Sequence, residues 1–265
     1  LNFLTKPFDN IKIRQAFELA LNKDVLSATV WKKRYTATNH IVPQGMPGYN
    51  PNLKGPDGTT STAGNTSMAK QLLQSGLQEE GYSSVSQLPT IIYSYESNSP
   101  DEANEVAAEA QQWQTVLGIN VKTEAVDFNK LLDEEFASLN NPKGLQMFGA
   151  GWGADYPDPQ DFLTLQFDKT STNNNTNYGQ NKTPVASAQQ AVQQEMEAAD
   201  VNPDSAARLT QYQDAEQKLV TDVAWLPMFQ RTQTHVLKPY VINFPFNAQT
   251  LIAPDAWGNI YIASH

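Results

Sequence analysis

The chain has no cysteine among its 265 residues. That excludes a disulfide framework and a thiolate metal centre, and it is compatible with export. Positive charge is scarce. Eighteen Lys and Arg stand against 28 Asp and Glu, for a net charge of -10. A nucleic-acid partner needs a basic footprint, so none is expected. No stretch stays apolar for the roughly 18 residues of a membrane span, so nothing here is expected to cross a bilayer. Histidine is limited to His40, His235 and His265, scattered without metal-ligand spacing and away from any motif-like serine. Neither a metal site nor a nucleophilic triad is therefore expected, and no cofactor is implied. A phosphate-cradling Gly-rich loop is missing too. The opening Leu1-Asn2-Phe3-Leu4 has no Met and no signal peptide, which reads as a fragment whose targeting signal or upstream domain lies outside it.

What is present suits a globular protein, with 40% hydrophobic and 17% charged residues. The most informative segment is Gly151-Trp152-Gly153-Ala154-Asp155-Tyr156-Pro157-Asp158, followed by Pro159. It follows a short apolar run, residues 145–150, that reads as a strand. A large aromatic, a flexible backbone and a carboxylate thus leave a strand end together, and the two prolines oppose the helix that would usually follow. Such a segment suits a cationic, extended ligand. Asp155 supplies a counter-charge, Trp152 a flat wall, and Gly151 and Gly153 room for another backbone. The plainer reading makes Trp152 a core residue and Asp155 a turn former before Tyr156-Pro157.

The rest of the chain supplies a frame. Residues 1–4 look like a strand end, broken at Lys6-Pro7-Phe8. Asp9 and Asn10 precede an amphipathic helix over residues 11–21, and a second short helix covers 25–31. Residues 36–65 are rich in Gly and Pro and read as irregular structure on a lobe surface. A helix follows over 67–77. The centre alternates: strand 90–95, helix 102–117 stopped by Gly118, strand 119–126, helix 128–139, strand 145–150. That order implies α/β architecture with helices flanking a sheet, and ligands of such sheets often bind beyond the carboxyl ends of strands. Residues 170–181 read as an Asn/Thr-rich loop, 184–199 and 203–222 as helices, and 224–230 as an edge strand containing Pro227. The tail is irregular or extended and ends in a strand-like Asn259-Ile260-Tyr261-Ile262.

Two chemical alternatives attach to the same segment. Asp155, Asp158 and Asp161 recur every third residue, which invites calcium, but the prolines fit no EF-hand loop. Two carboxylates near Trp152 also suggest a carbohydrate-active hydrolase or a sugar-binding module using Trp152, Asp155 and Asp158.

Several stretches resemble one family, in order along nearly the whole chain. Pro7-Phe8-Asp9-Asn10-Ile11-Lys12-Ile13-Arg14-Gln15-Ala16-Phe17 with Leu21-Asn22-Lys23-Asp24 resembles the helix that opens the second lobe of the extracytoplasmic solute-binding proteins of oligopeptide and dipeptide ABC importers. Ala69-Lys70-Gln71-Leu72-Leu73 up to Gly81-Tyr82, Gly118-Ile119-Asn120-Val121, and Tyr212 and Glu216 before Trp225-Leu226-Pro227-Met228 are similar to other segments of that lobe. Gly151 to Pro159 with Phe162-Leu163 matches its most specific signature. The resemblance implies a periplasmic-binding-protein-like lobe with a mixed sheet flanked by helices. Residues 1–242 would be the second lobe, and 243–265 a tail that returns to the first. It implies an oligopeptide ligand, a membrane permease as partner, a monomer, no enzymatic activity, and a place outside the cytoplasm as a cell-surface lipoprotein or in the periplasm. Asp155 matches the aspartate that pairs with the peptide ammonium. Trp152 would border a side-chain pocket, and the backbone of Gly151, Gly153, Ala154 and Tyr156 would line the peptide. One departure stands out. Gly149 occupies a position that is basic in some members, and no histidine falls in residues 97–105, which favours longer peptides over a fixed short length.

Overall fold

The computed structural model describes residues 1–247, 249 and 252–264. In chain order the elements are α1 (Ile11–Leu19), α2 (Lys23–Thr29), β1 (Tyr35–Ala37), α3 (Thr66–Glu79), β2 (Ile91–Glu96), α4 (Pro100–Leu117), β3 (Val121–Val126), α5 (Phe128–Phe136), β4 (Met147–Phe148), α6 (Thr164–Phe167), α7 (Ala186–Asp200), α8 (Ser205–Thr221), β5 (Phe229–Arg231), β6 (Val241–Ile242), α9 (Pro254–Trp257) and β7 (Tyr261–Ile262). Short 3-10 turns cover Val85–Gln87 and Pro159–Asp161. Among the described residues, no helix is long and apolar enough to cross a membrane.

The central strand–helix alternation forms as expected, and its punctuation explains why. The Asn10 side chain caps α1 by accepting from the amides of Lys12 and Ile13. α4 starts at Ser99, which accepts from the Glu102 amide, with Pro100 in the first turn and Asp101 and Glu102 at the positive end of the helix dipole. It ends at Gly118, whose φ of 71° lies in the left-handed region that glycine tolerates. The three-stranded sheet has the order β3-β2-β4, and both pairings are parallel. Antiparallel pairing occurs in separate ribbons, β1 with β5 and β6 with β7. Strand directions are thus mixed across the chain's sheets rather than within the central one.

The short elements β1, α6, β6 and α9 are additional to the sequence reading, and three others differ from it. Residues 1–4 form a turn rather than a strand, because the Asn2 carbonyl takes both the amide and the hydroxyl of Thr5, and its Oδ1 accepts from the Leu4 amide. β4 is only two residues long. Before it, the Gln146 side chain replaces a ladder partner by accepting from the Ile92 amide (3.0 Å). Beyond it, Gly149 still donates to the Ser94 carbonyl (3.0 Å), but the next donor of β2, the Glu96 amide, goes to Glu102 Oε1 (3.3 Å). The chain therefore peels off the sheet at residue 150. β5 starts later than expected, since Ala224 still donates to the Leu219 carbonyl at the end of α8.

Two apolar cores result. One gathers Phe8, Ile13, Phe17, Ile91, Trp113 and Val121 under α1, α3, α4 and the sheet. The other gathers Phe3, Ile41, Leu53, Phe167, Tyr178 and Leu219 around α6–α8, so the irregular 36–65 segment is plugged into a core by its own apolar residues. Each such side chain contributes roughly 1.5–3 kcal/mol on burial. Arg14 of α1 joins the two cores while fully buried. Its guanidinium lies 3.7 Å from the centre of the Phe3 ring and donates to the carbonyls of Phe8 (2.8 Å) and Asp222 (3.0 Å). Burial lowers its pKa to about 10, which leaves it charged at neutral pH.

Candidate functional site: the loop beyond strand β4

The segment from Gly149 to Asp158 leaves the carboxyl end of β4, as the parallel sheet requires for a site at its strand ends. Both ends of the loop are tied down. At the start, the Gly149 amide bonds to Ser94 of β2. At the finish, Asp158 forms a bidentate pair with Arg208 of α8, both contacts at 2.7 Å, and caps the 3-10 turn by accepting from the Gln160 amide (2.9 Å). Arg208 in turn lies over the Tyr212 ring, 4.8 Å from its centre.

Between these anchors the loop stands open. Trp152 and Tyr156 are 36% and 37% exposed. Asp155 is exposed, and its carboxylate makes no hydrogen bond or ion pair with the described residues; only its amide is engaged, with Asp161 Oδ2. A Cβ placed on Gly151 or Gly153 would meet nothing within 4 Å. The backbone of residues 150–154 makes no hydrogen bond to the described residues. Ala154 is half-buried and packs against the second core, which fixes the depth of the loop. The Tyr156 hydroxyl donates to Gln160 Oε1. The predicted residues are together on one loop, with Trp152 partly exposed rather than in the core and no turn hydrogen bond to the Asp155 carboxylate from the described residues.

Asp161 and Arg208 are the residues that sequence reasoning missed. Asp161 is fully buried, with Oδ1 accepting from Trp152 Nε1 (3.3 Å) and Oδ2 from the Asp155 amide (2.9 Å). Burial pushes its carboxyl above the ordinary range, and the negative charge of Asp155 adds to that. The Asp-x-x-Asp spacing drew attention to it for calcium. Nothing in the sequence marked Arg208. The three acids do not converge on one point: Asp158 is turned to Arg208, Asp161 to the loop and Asp155 to solvent.

The hydrolase alternative loses a partner here. A general acid needs a raised pKa. Burial of Asp158 does work in that direction, but its bonds to Arg208 and to the Gln160 amide, with the Arg208 charge, hold it below the ordinary value. The remaining scattered groups stay apart from this loop. His40 packs on Tyr49 with ring centres 4.3 Å apart, and His235 packs on Phe244 and Phe246. His265 lies outside the described residues. A Cβ on Gly149 would lie 2.7 Å from Glu102 Oε1, the movable end of a side chain, so the space beside it is held by a carboxylate rather than closed by backbone.

Comparison with known proteins assigns the chain to a family. The profile described as bacterial extracellular solute-binding proteins, family 5 Middle, matches residues 1–174. The chain belongs to this family. Among its relatives, the oligopeptide-binding protein OppA of Bacillus subtilis is 31% identical over 180 residues, which is 67% of this chain and 31% of that protein. The periplasmic oligopeptide-binding protein OppA of Escherichia coli is 26% identical over 275 residues, 100% of this chain and 44% of that protein. The Escherichia coli murein tripeptide-binding protein MppA shares the fold, with a TM-score of 0.76 at 22% identity over 100% of this chain and 47% of its own. Haemophilus influenzae OppA, solved in complex with RPPGFSPFR, gives 0.74 at 24% identity over 99% of this chain and 47% of its own. The chain thus spans less than half the length of these relatives.

Proposed function

We infer that the chain is one wall of a peptide-capturing cleft: the second lobe, residues 1–242, of the solute-binding component of an ABC importer. Residues 243–265 would return to a first lobe. The observation that carries this reading is the loop of residues 150–156, where an unpartnered backbone, two open glycines, an exposed indole and a free carboxylate lie side by side. A free backbone edge takes an extended chain by strand addition, which serves any peptide sequence. Asp155 pairs with the ligand's N-terminal ammonium, and Trp152 and Tyr156 border the first side-chain pocket. Gly151, Gly153 and Ala154 keep the edge open to the incoming backbone.

Family membership supports an extracytoplasmic binding protein rather than an enzyme, working as a monomer with a membrane permease, in the periplasm or anchored outside the cell as a lipoprotein. Peptides longer than a fixed short length fit best. Glu102 fills the space beside Gly149 with a carboxylate, which disfavours a peptide carboxylate at that end of the site. The direct experiment is mass spectrometry of ligands that co-purify with the full-length protein. The expected result is a mixture of peptides with free amino termini. Sugars, or turnover of a glycoside, would refute the reading.

A further inference from the structure

Asp161 is a fully buried carboxylate with no cation against it among the described residues. Burying such a charge without a counter-ion costs stability unless its oxygens are well used. They are used on one object only. Oδ1 accepts from the indole of Trp152 at 3.3 Å, and Oδ2 accepts from the amide of Asp155 at 2.9 Å. Asp161 itself is rigidly held. Its carbonyl accepts from Gln166 Nε2 (3.1 Å), and its amide donates to the Asp158 carbonyl (3.2 Å), one step from the Arg208 pair.

An aspartate in a turn ordinarily folds its carboxylate onto nearby backbone donors. Asp155 does not, and two donors of its own loop are already taken by Asp161. We propose that Asp161 is the positioning residue of the ligand site: it fixes the Trp152 ring and the Asp155 backbone, and so keeps the Asp155 carboxylate turned outward for a cationic ligand group. Asp161 does not touch the ligand. The inference rests on the functional reading above, that Asp155 receives the ammonium.

The test uses Asp161→Ala and Asp161→Asn in the full-length protein. Hydrogen exchange at the Asp155 amide, without ligand, reads the clamp. Dissociation constants for one peptide with a free or an acetylated amino terminus read its consequence. In the Ala variant the Asp155 amide should exchange faster. If the competent loop falls to about a tenth of the population, the free-amine peptide should bind about tenfold more weakly. The acetylated peptide should lose less. The Asn variant keeps one acceptor oxygen and should fall between wild type and Ala, which also covers the case of a poorly folding Ala variant. Unchanged exchange, or equal weakening of both peptides, overturns the proposal. A wild-type protein that binds no peptide overturns the functional reading instead, while faster exchange in the variants would still establish the clamp.

Discussion

Replacing Asp155 by Asn removes one charge at the place where the proposed mechanism concentrates its specificity. In this structure the carboxylate is exposed and makes no hydrogen bond with the described residues, so the fold does not depend on it. Asp161 and the Asp158–Arg208 pair hold the loop instead. Thermal stability of the variant should therefore equal that of wild type. Binding should not. An exposed ion pair contributes under about 1 kcal/mol, because water and salt screen it. Closure of a second lobe would remove that water, and breaking a desolvated pair costs about 2–4 kcal/mol. A coupling of about 2 kcal/mol corresponds to roughly thirtyfold in affinity. Calorimetry on two proteins and two peptides gives four dissociation constants. The free-amine peptide should lose about thirtyfold or more on mutation, and its N-acetylated form only a few-fold. A coupling energy near zero refutes Asp155 as the ammonium anchor. A fall in melting temperature together with equal loss on both peptides would return it to the role of a turn former.

Three further outcomes follow from the packing. Glu216 is fully buried beside the amides of Ile41 and Val42, and burial pushes its carboxyl from 4.5 to about 7, so the fold favours the protonated form and loses stability as pH rises between those values. Glu216→Gln should keep both amide bonds, and its stability relative to wild type should grow by about 2.5 kcal/mol from about pH 5 to about pH 8. The pair should be compared in a His40→Gln background, because His40 Nδ1 lies 3.8 Å from Glu216 Oε1 and its own opposite slope would change with the mutation; a pH-independent difference in denaturant titrations would contradict this account. Arg14→Met strands the carbonyls of Phe8 and Asp222 and should cost about 3 kcal/mol in chemical denaturation; a loss under about 1 kcal/mol would show that Arg14 does not join the cores. On the proposed two-lobe reading, the 265-residue chain alone should melt cooperatively yet give little calorimetric heat with a mixed peptide pool, since one wall of a cleft cannot exclude water; micromolar or tighter binding would prove this wrong.

The legible parts of the sequence were those with local causes. α4 was readable because Ser99, Pro100 and Gly118 act within a few residues of the helix they bound. The site loop was readable because Gly, Trp, Asp and Pro stand next to one another. The parts that escaped depend on long-range partners. β4 was overestimated because Glu102, on a helix 45 or more residues earlier in the chain, takes the donor that would have extended its ladder. Residues 1–4 are the exception, with a local cause: Asn2 takes the donors of Leu4 and Thr5 and closes a turn. Arg208 looked like any surface arginine of α8 until folding set it 50 positions from its partner in sequence and 2.7 Å from it in space.

The spacing of Asp155, Asp158 and Asp161 shows how one pattern supports unlike functions until the partners are known. Calcium binding would need all three carboxylates turned to one centre. Glycoside hydrolysis would need one carboxyl kept protonated and accessible, and a second kept ionised and free beside it. Neither arrangement occurs. Asp158 is ionised but committed to Arg208. Asp161 is the acid pushed upward, yet it is buried and both its oxygens are occupied by loop donors. Only Asp155 remains free, and it stands alone beside an open stretch of backbone. A single free carboxylate lacks an acid–base partner for bond cleavage. On the proposed reading it holds the positive end of an extended chain, while the loop's unpaired amides and carbonyls take that chain's backbone. Two structural acids thus leave the third available for binding.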